Sequence, residues 1–230
     1  MDIEEGYFKF ESKGRTSEEC IFPRRPTSCY HTSKVASTYL VDYYSRIWNL
    51  HTTDIMQAVV FGAYTDDIDV SKVFTRLDTD ECFGTVINRF IVQALLNEPL
   101  TIYGQGNHKR GFISLNDSIQ ALMIAVENKP EAGRTRVWNQ LSEWHSINDI
   151  AQMVKNVGTK FDLDVTTQNL DSLRHEQTED HYYKYVCEIL PSLGYKPTRT
   201  IEHEIEYCMN HLKDLKLNDL RKNIIPKIKF

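Results

Sequence analysis

The most constraining stretch of this sequence is Asp54-Ile-Met-Gln-Ala-Val-Val-Phe61, a mainly apolar run closed by Gly62. Successive residues of a strand face opposite sides. Here both sides are apolar, with Met56, Ala58 and Val60 on one and Ile55 and Val59 on the other. A strand without a polar face has to be covered above and below, as crossover helices cover a parallel sheet. Residues 55–60 are therefore expected inside such a sheet, not at its edge. Directly before them Val35, Leu40, Tyr43, Tyr44 and Ile47 recur at helical spacing between His31 and Trp48.

Downstream, strands and helices alternate, which assigns the chain to the α/β class. An aspartate-rich loop at 65–69 leads to a helix expected over 84–97. Short strands at 101–103 and 112–115 flank a glycine loop, and 136–139 forms another. Asn116 reads as the N-cap of a helix over 117–128, whose positions Ile119, Leu122, Met123 and Val126 share one stripe. Ser146-Ile-Asn-Asp149 has capping-box spacing and opens a helix to Val157. Residues 161–165 alternate as a strand, and two helices complete the chain. Residues 2–29 read as polar and irregular. Trp138 and Trp144 read as core.

Composition removes several classes of function. Lys and Arg total 27 against 32 Asp and Glu, a net charge of -5, so no basic field invites nucleic acid or anionic lipid. No apolar run approaches the roughly eighteen residues of a membrane-spanning helix. The acidic start, Met1-Asp-Ile-Glu-Glu5, is unlike a signal or transit peptide. Cys20, Cys29, Cys82, Cys187 and Cys208 are scattered and contain no C-x-x-C pair, the usage of a reduced, cytoplasmic protein. His203-Glu204 is followed by His211, which breaks the H-E-x-x-H spacing, and no metal site is expected. The basic tail is interrupted by Asp214 and Asp219 and reads as a solvated helix face.

Chemistry enters with Tyr30-His-Thr-Ser-Lys34 at the mouth of the first helix. Residues four apart stand one above the other on a helix face. A lysine so placed can favour tyrosinate, a base for an alcohol proton, and can hold a ribose hydroxyl. By itself the motif is as compatible with a surface pair as with catalysis. Its context is more specific. It runs into Gln57-Ala-Val-Val-Phe-Gly62, and later come Pro99-Leu-Thr-Ile-Tyr-Gly-Gln-Gly106, Arg110-Gly-Phe112 and Val137-Trp-Asn-Gln140. In this order the blocks resemble the second half of an extended short-chain dehydrogenase/reductase of the nucleotide-sugar epimerase and dehydratase type. The likeness covers nearly the whole chain. Asp2-Ile-Glu-Glu-Gly-Tyr7, Phe83-Gly-Thr-Val-Ile-Asn-Arg-Phe90 and Glu179-Asp-His-Tyr-Tyr183 narrow it to the branch that makes UDP-sulfoquinovose from UDP-glucose and sulfite. Arg110-Gly-Phe112, where a generic relative has Arg-Asp-Phe, and Asn139-Gln140, where one has Asn-x-Gly, both favour that branch.

The resemblance implies the C-terminal part of a Rossmann-type doubly wound parallel sheet plus a smaller α/β substrate domain. Residues 1–62 would be the remainder of the NAD-binding domain and 63–230 mainly the nucleotide-sugar domain. Tyr30 is implied as base, Lys34 as its partner, and His31 as proton shuttle, sugar contact or plain helix residue. Tyr30, Lys34, Gln57 and Val60 are implied at NAD, and Gln57, Thr85, Asn88, Thr101, Tyr103, Arg110 and Arg174 at the UDP-sugar. The two arginines would clamp the diphosphate, which a guanidinium fork matches. The segment around Arg174 runs about one residue longer than the family spacing. A homodimer is implied through the His31 helix.

No G-x-x-G-x-x-G is present, although a dinucleotide fold needs that phosphate-cradling turn. In the resembled family it precedes the residue corresponding to Met1, as does the catalytic threonine. The expectation is of about 150 or more preceding residues, and of poor solubility, no NAD binding and no activity for these 230 residues alone. Two alternatives stay open: a UDP-sugar 4-epimerase or 4,6-dehydratase using the same pair, or a non-catalytic UDP-sugar-binding remnant.

Overall fold

The computed structural model describes residues 2–4, 7–12, 15–21, 26, 29–65, 68, 75–79, 84–171, 186–215 and 217, those before residue 26 as backbone only. In chain order the elements are β1 (Asp2–Glu4), β2 (Tyr7–Ser12), β3 (Arg15–Ile21), α1 (Cys29–Trp48), β4 (Thr52–Gln57), β5 (Val59–Phe61), α2 (Val86–Leu95), β6 (Leu100–Tyr103), β7 (Lys109–Ser114), α3 (Leu115–Glu127), β8 (Thr135–Gln140), β9 (Glu143–Ser146), α4 (Ile147–Gly158), β10 (Thr167–Leu170), α5 (Ile189–Ser192) and α6 (Ile201–Leu212). They form two compact units, Met1–Asp54 with Pro130–Arg136, and Ile55–Lys129 with Val137–Phe230.

In the first unit β1, β2 and β3 form an antiparallel meander where an irregular segment was expected. The alternation Phe8-Lys-Phe10-Glu is the strand signal that the polar composition obscures. Helix α1 follows the predicted span closely. It is tied to the start of β4 by Thr38, whose hydroxyl donates to Asp54 Oδ2 at 2.8 Å. His51 Nδ1 lies 2.7 Å from the Pro130 carbonyl, and Arg136 donates to Thr53 Oγ1 at 2.9 Å.

The second unit is organised on the three-stranded sheet β5-β7-β9, with β5 and β7 parallel and β7 and β9 antiparallel. Val59 pairs with Phe112 and Val60 with Ile113, so each pair faces one side. Phe61 and Phe112 meet edge to face at 6.4 Å on the side covered by α2, α4 and α6. Val60 and Ile113 enter the opposite core with Ala121, Ile124, Trp138 and Leu190. Coverage on both faces is what the apolar run predicted, but it also predicted a place inside the sheet, and among the described residues β5 is instead an outer strand of β5-β7-β9. The run itself is interrupted, however: the Ala58 amide donates to the Gln140 carbonyl and separates β4 from β5. β4 is only half-buried and ends on an exposed Gln57, and in β5 Val59 and Val60 are half-buried while only Phe61 is fully buried.

Gly62 closes β5 at φ +95°, and a Cβ there would lie 2.5 Å from Glu204 Oε1. Both backbone and space therefore demand glycine. The capping box of α4 forms as read: the Asp149 amide donates to Ser146 Oγ at 3.1 Å and the Ser146 amide to Asp149 Oδ2 at 2.9 Å.

Three expectations shift. The N-cap of α3 is Ser114, whose Oγ accepts from the Asp117 amide, while Asn116 lies in the first turn. The stripe Ile119, Leu122, Met123 and Val126 is exposed, and α3 instead buries Asp117, Ser118, Ala121 and Ile124. Residues 159–161 form a 3-10 turn ended by Asp162 at φ 56°, which delays the strand to Thr167.

Candidate functional site

Tyr30, His31 and Lys34 stand together near the start of α1. Lys34 Nζ lies 5.2 Å from the Tyr30 ring centroid, and the His31 ring is 6.2 Å from that of Tyr30. Tyr30 is 67% exposed, so its hydroxyl is open to a reactant and not consumed by packing. Helical spacing alone produces this stacking of i on i+4. Ser33 and Ser37 turn their hydroxyls back onto the carbonyls of Tyr30 and Ser33 at 2.7 and 2.8 Å, leaving the other face to the pair. An ammonium beside a phenol on an open helix face suits a ribose hydroxyl and an alcohol proton. It fits the cofactor that the sequence implied.

The second unit contains most of the remaining candidates. Gln57 Nε2 donates to Ser118 Oγ at 2.8 Å and to Gln140 Oε1 at 2.9 Å. The buried Gln140 donates in turn to the Ser118 carbonyl at 3.0 Å. This amide relay explains physically why a glutamine follows Asn139: its side chain holds Gln57 at the end of β4. Val60 packs into the core, which leaves its backbone as the part able to meet a ligand.

Thr85 is the N-cap residue of α2 but makes no side-chain cap, and its Oγ1 is buried without a hydrogen-bond partner among the described residues. Asn88, buried one turn on, accepts from the Gly62 amide at 3.0 Å and fixes the turn after β5. Thr101 is buried and engaged by Gln93, through Nε2 to its Oγ1 at 2.9 Å and from its amide to Gln93 Oε1 at 3.2 Å. Tyr103 lies under the Arg89 guanidinium at 5.1 Å. Arg110, half-buried on β7, donates to the Lys109 carbonyl at 3.1 Å and pairs in register with His145. Arg174 and the segment 179–183 lie outside the described residues.

Sequence reasoning missed the buried charges. Arg89, within a helix buried on all sides, donates to the Thr101 carbonyl at 3.0 Å. Arg199 and Glu204 form a buried ion pair at 2.7 Å behind Gly62. Burial pushes the Glu204 carboxyl above its usual range, with Arg199 opposing the shift, and pushes the neighbouring Cys208 thiol up to about 12. Only the i, i+5 spacing connects the pair in sequence, and that pattern has no helical meaning. Among the described residues no cluster of His, Cys, Asp or Glu could hold a metal, and no helix is long and apolar enough to cross a membrane.

The second unit has the α/β character, with parallel strands, of Rossmann-related proteins, and α1 of the first unit carries the Tyr/Lys pair. The model of the NAD dependent epimerase/dehydratase family matches residues 9–139, and the chain belongs to that family. It is 38% identical over its whole length to the UDP-sulfoquinovose synthase of Sulfolobus acidocaldarius, and 34% identical to the chloroplastic UDP-sulfoquinovose synthase of Spinacia oleracea. It spans 59% and 48% of those two relatives' lengths. A solved Bacillus cereus UDP-glucuronic acid 4-epimerase in complex with UDP-glucuronic acid and NAD shares the fold, with a TM-score of 0.62 and 24% identity. That match covers 92% of this chain and 58% of the epimerase.

Proposed function

We propose that this chain serves an NAD-dependent enzyme that forms UDP-sulfoquinovose from UDP-glucose and sulfite. The observation that carries the reading is the full-length likeness to two synthases of that name, one archaeal and one from a plant, in a chain whose α1 stacks Lys34 on Tyr30. When bound, NAD would accept a hydride from the sugar C4 and return it to the same carbon once sulfite has added, so that the redox closes. Tyr30 takes the proton of the C4 hydroxyl. Lys34 favours the tyrosinate and holds a ribose hydroxyl of the cofactor, and His31 stands beside the base. The 4-keto group acidifies C5, water leaves from C6, and sulfite adds to the 5,6-alkene.

Gln57, fixed by Gln140 and Ser118, lies at the nicotinamide and sugar, with the Val60 backbone on the cofactor side. Thr85, Asn88, Thr101 and Tyr103 line the sugar and nucleoside subsite, and Arg110 and Arg174 bind the diphosphate. Residues 1–62 belong to the cofactor domain and 63–230 to the sugar domain. The enzyme works as a homodimer in the cytoplasm, and the free Cys29, Cys187 and Cys208 suit a reducing setting.

The test is Tyr30→Phe in the active enzyme, with turnover expected to fall at least ~10²-fold while UDP-sugar affinity persists. Unchanged turnover overturns the role of Tyr30. Product analysis with labelled sulfite checks the nucleophile: UDP-galactose or a 4-keto-6-deoxy sugar in place of a sulfonate moves the assignment to an epimerase or a dehydratase.

A further inference from the structure

His145 on β9 is opposite Arg110 on β7 in the antiparallel register. Directly opposed residues share a face, with Cβ atoms about 4.5–5.5 Å apart. The imidazole is held in place: its Nε2 lies 3.0 Å from Glu143 Oε2, while Glu143 Oε1 accepts from the Ile201 amide at the start of α6, at 2.7 Å. A carboxylate anchored at both oxygens fixes the ring and keeps a proton on Nε2. Nδ1 then has no partner among the described residues, on the face it shares with Arg110.

We propose that His145, oriented by Glu143, is a second contact for the substrate diphosphate beside Arg110 and takes up a proton when the diphosphate binds. This rests on the reading that Arg110 meets the diphosphate. The groups around the ring are Glu143 on its own strand, Arg110 on β7, Asp149 on α4, and the Ile201 amide of α6. Asp149 is committed to the Ser146 capping box and does not bond the ring. Without ligand the ring faces the Arg110 cation across the strand pair. A diphosphate seated there adds negative charge that favours a proton on Nδ1, which then donates to a phosphate oxygen.

The test is titration calorimetry of the 230-residue chain with UDP, in buffers of differing ionisation enthalpy at about pH 7. Uptake of a substantial fraction of a proton per UDP is expected. His145→Gln keeps a donor for Glu143 but cannot take the proton. It should abolish the uptake and weaken UDP binding roughly 3–10-fold at about pH 6, with less effect at about pH 8. Binding by the unsubstituted chain without proton uptake overturns the inference, as does uptake that persists in His145→Gln. Arg110→Ala distinguishes the two levels. If it leaves UDP affinity unchanged, or if UDP gives no binding heat with the unsubstituted chain, the diphosphate reading falls and the inference with it. If Arg110→Ala weakens UDP while His145→Gln changes nothing, only the inference falls.

Discussion

Helix α1 buries only Ser45 along twenty residues, whereas α2 buries the eight consecutive residues from Ile87 to Ala94. Both helices were expected from sequence, α1 from its apolar periodicity, yet α1 leaves Tyr39, Leu40, Tyr43, Tyr44, Ile47 and Trp48 exposed. Apolar spacing reports that a helix has a face to cover. It does not report what covers it. The polar residues of α2 sharpen the contrast, since Asn88, Arg89 and Gln93 each find a partner inside the second unit. In α1 Tyr30 and Lys34, which the proposed function makes its catalytic groups, stay at the surface. One helix buries its polar groups among partners of its unit; the other leaves them exposed.

Substitutions can break this contrast. Phe90→Ala removes a fully buried ring from α2 and should cost about 3–5 kcal/mol by urea unfolding. A cost near zero would mean that α2 does not carry the core. Arg199→Ala should also cost about 3–5 kcal/mol, because it strands the Glu204 carboxylate behind Gly62. Replacing both partners by apolar residues of similar volume should recover much of that loss, which would identify unpaired charge and not packing as its cause.

Ser146→Ala should cost about 1 kcal/mol through loss of the α4 cap. Hydrogen bonds from Ser146 hold the Asp149 carboxyl below its usual range. A group depressed in this way contributes stability above its unfolded value and loses it as pH falls through its folded value. Asp149→Asn should therefore shrink the acid-side loss of stability, measured by thermal unfolding across the carboxylate range. At the small end, Leu40→Ala in α1 should change stability by no more than about 0.5 kcal/mol. A large loss from that exposed position would place α1 in a core and remove the distinction.

Local chemistry made much of the molecule readable. Ser146-x-x-Asp149 named its own helix start, because a capping box is closed within four residues. The apolar run through β5, apolar at both parities, predicted coverage on both faces, since a strand's period is two wherever it lies. Tyr30 and Lys34 were legible as a pair because helix geometry alone brings residues four apart together. The family blocks around Pro99–Arg110 pointed to the epimerase and dehydratase family, and the family match agrees with that.

Long-range partners lay outside that reach. Sequence spacing gave no reason for Gln57 to meet Gln140, 83 positions away, or for the Ile201 amide to rest on Glu143. The break at Ala58 was likewise invisible, since the carbonyl that captures its amide comes from a strand formed much later in the chain. On α3, the sequence supplied a correct apolar stripe and the fold buried a different face, because Ala121 and Ile124 fit against Ile113 and Trp138. Periodicities, caps and the stacking of Lys34 on Tyr30 are settled by interactions a few residues long, so the sequence by itself determined them. Which amide holds which glutamine, which face of a helix is covered and where a charge can be buried depend on contacts that exist only once distant segments have met, and only the tertiary structure decided those.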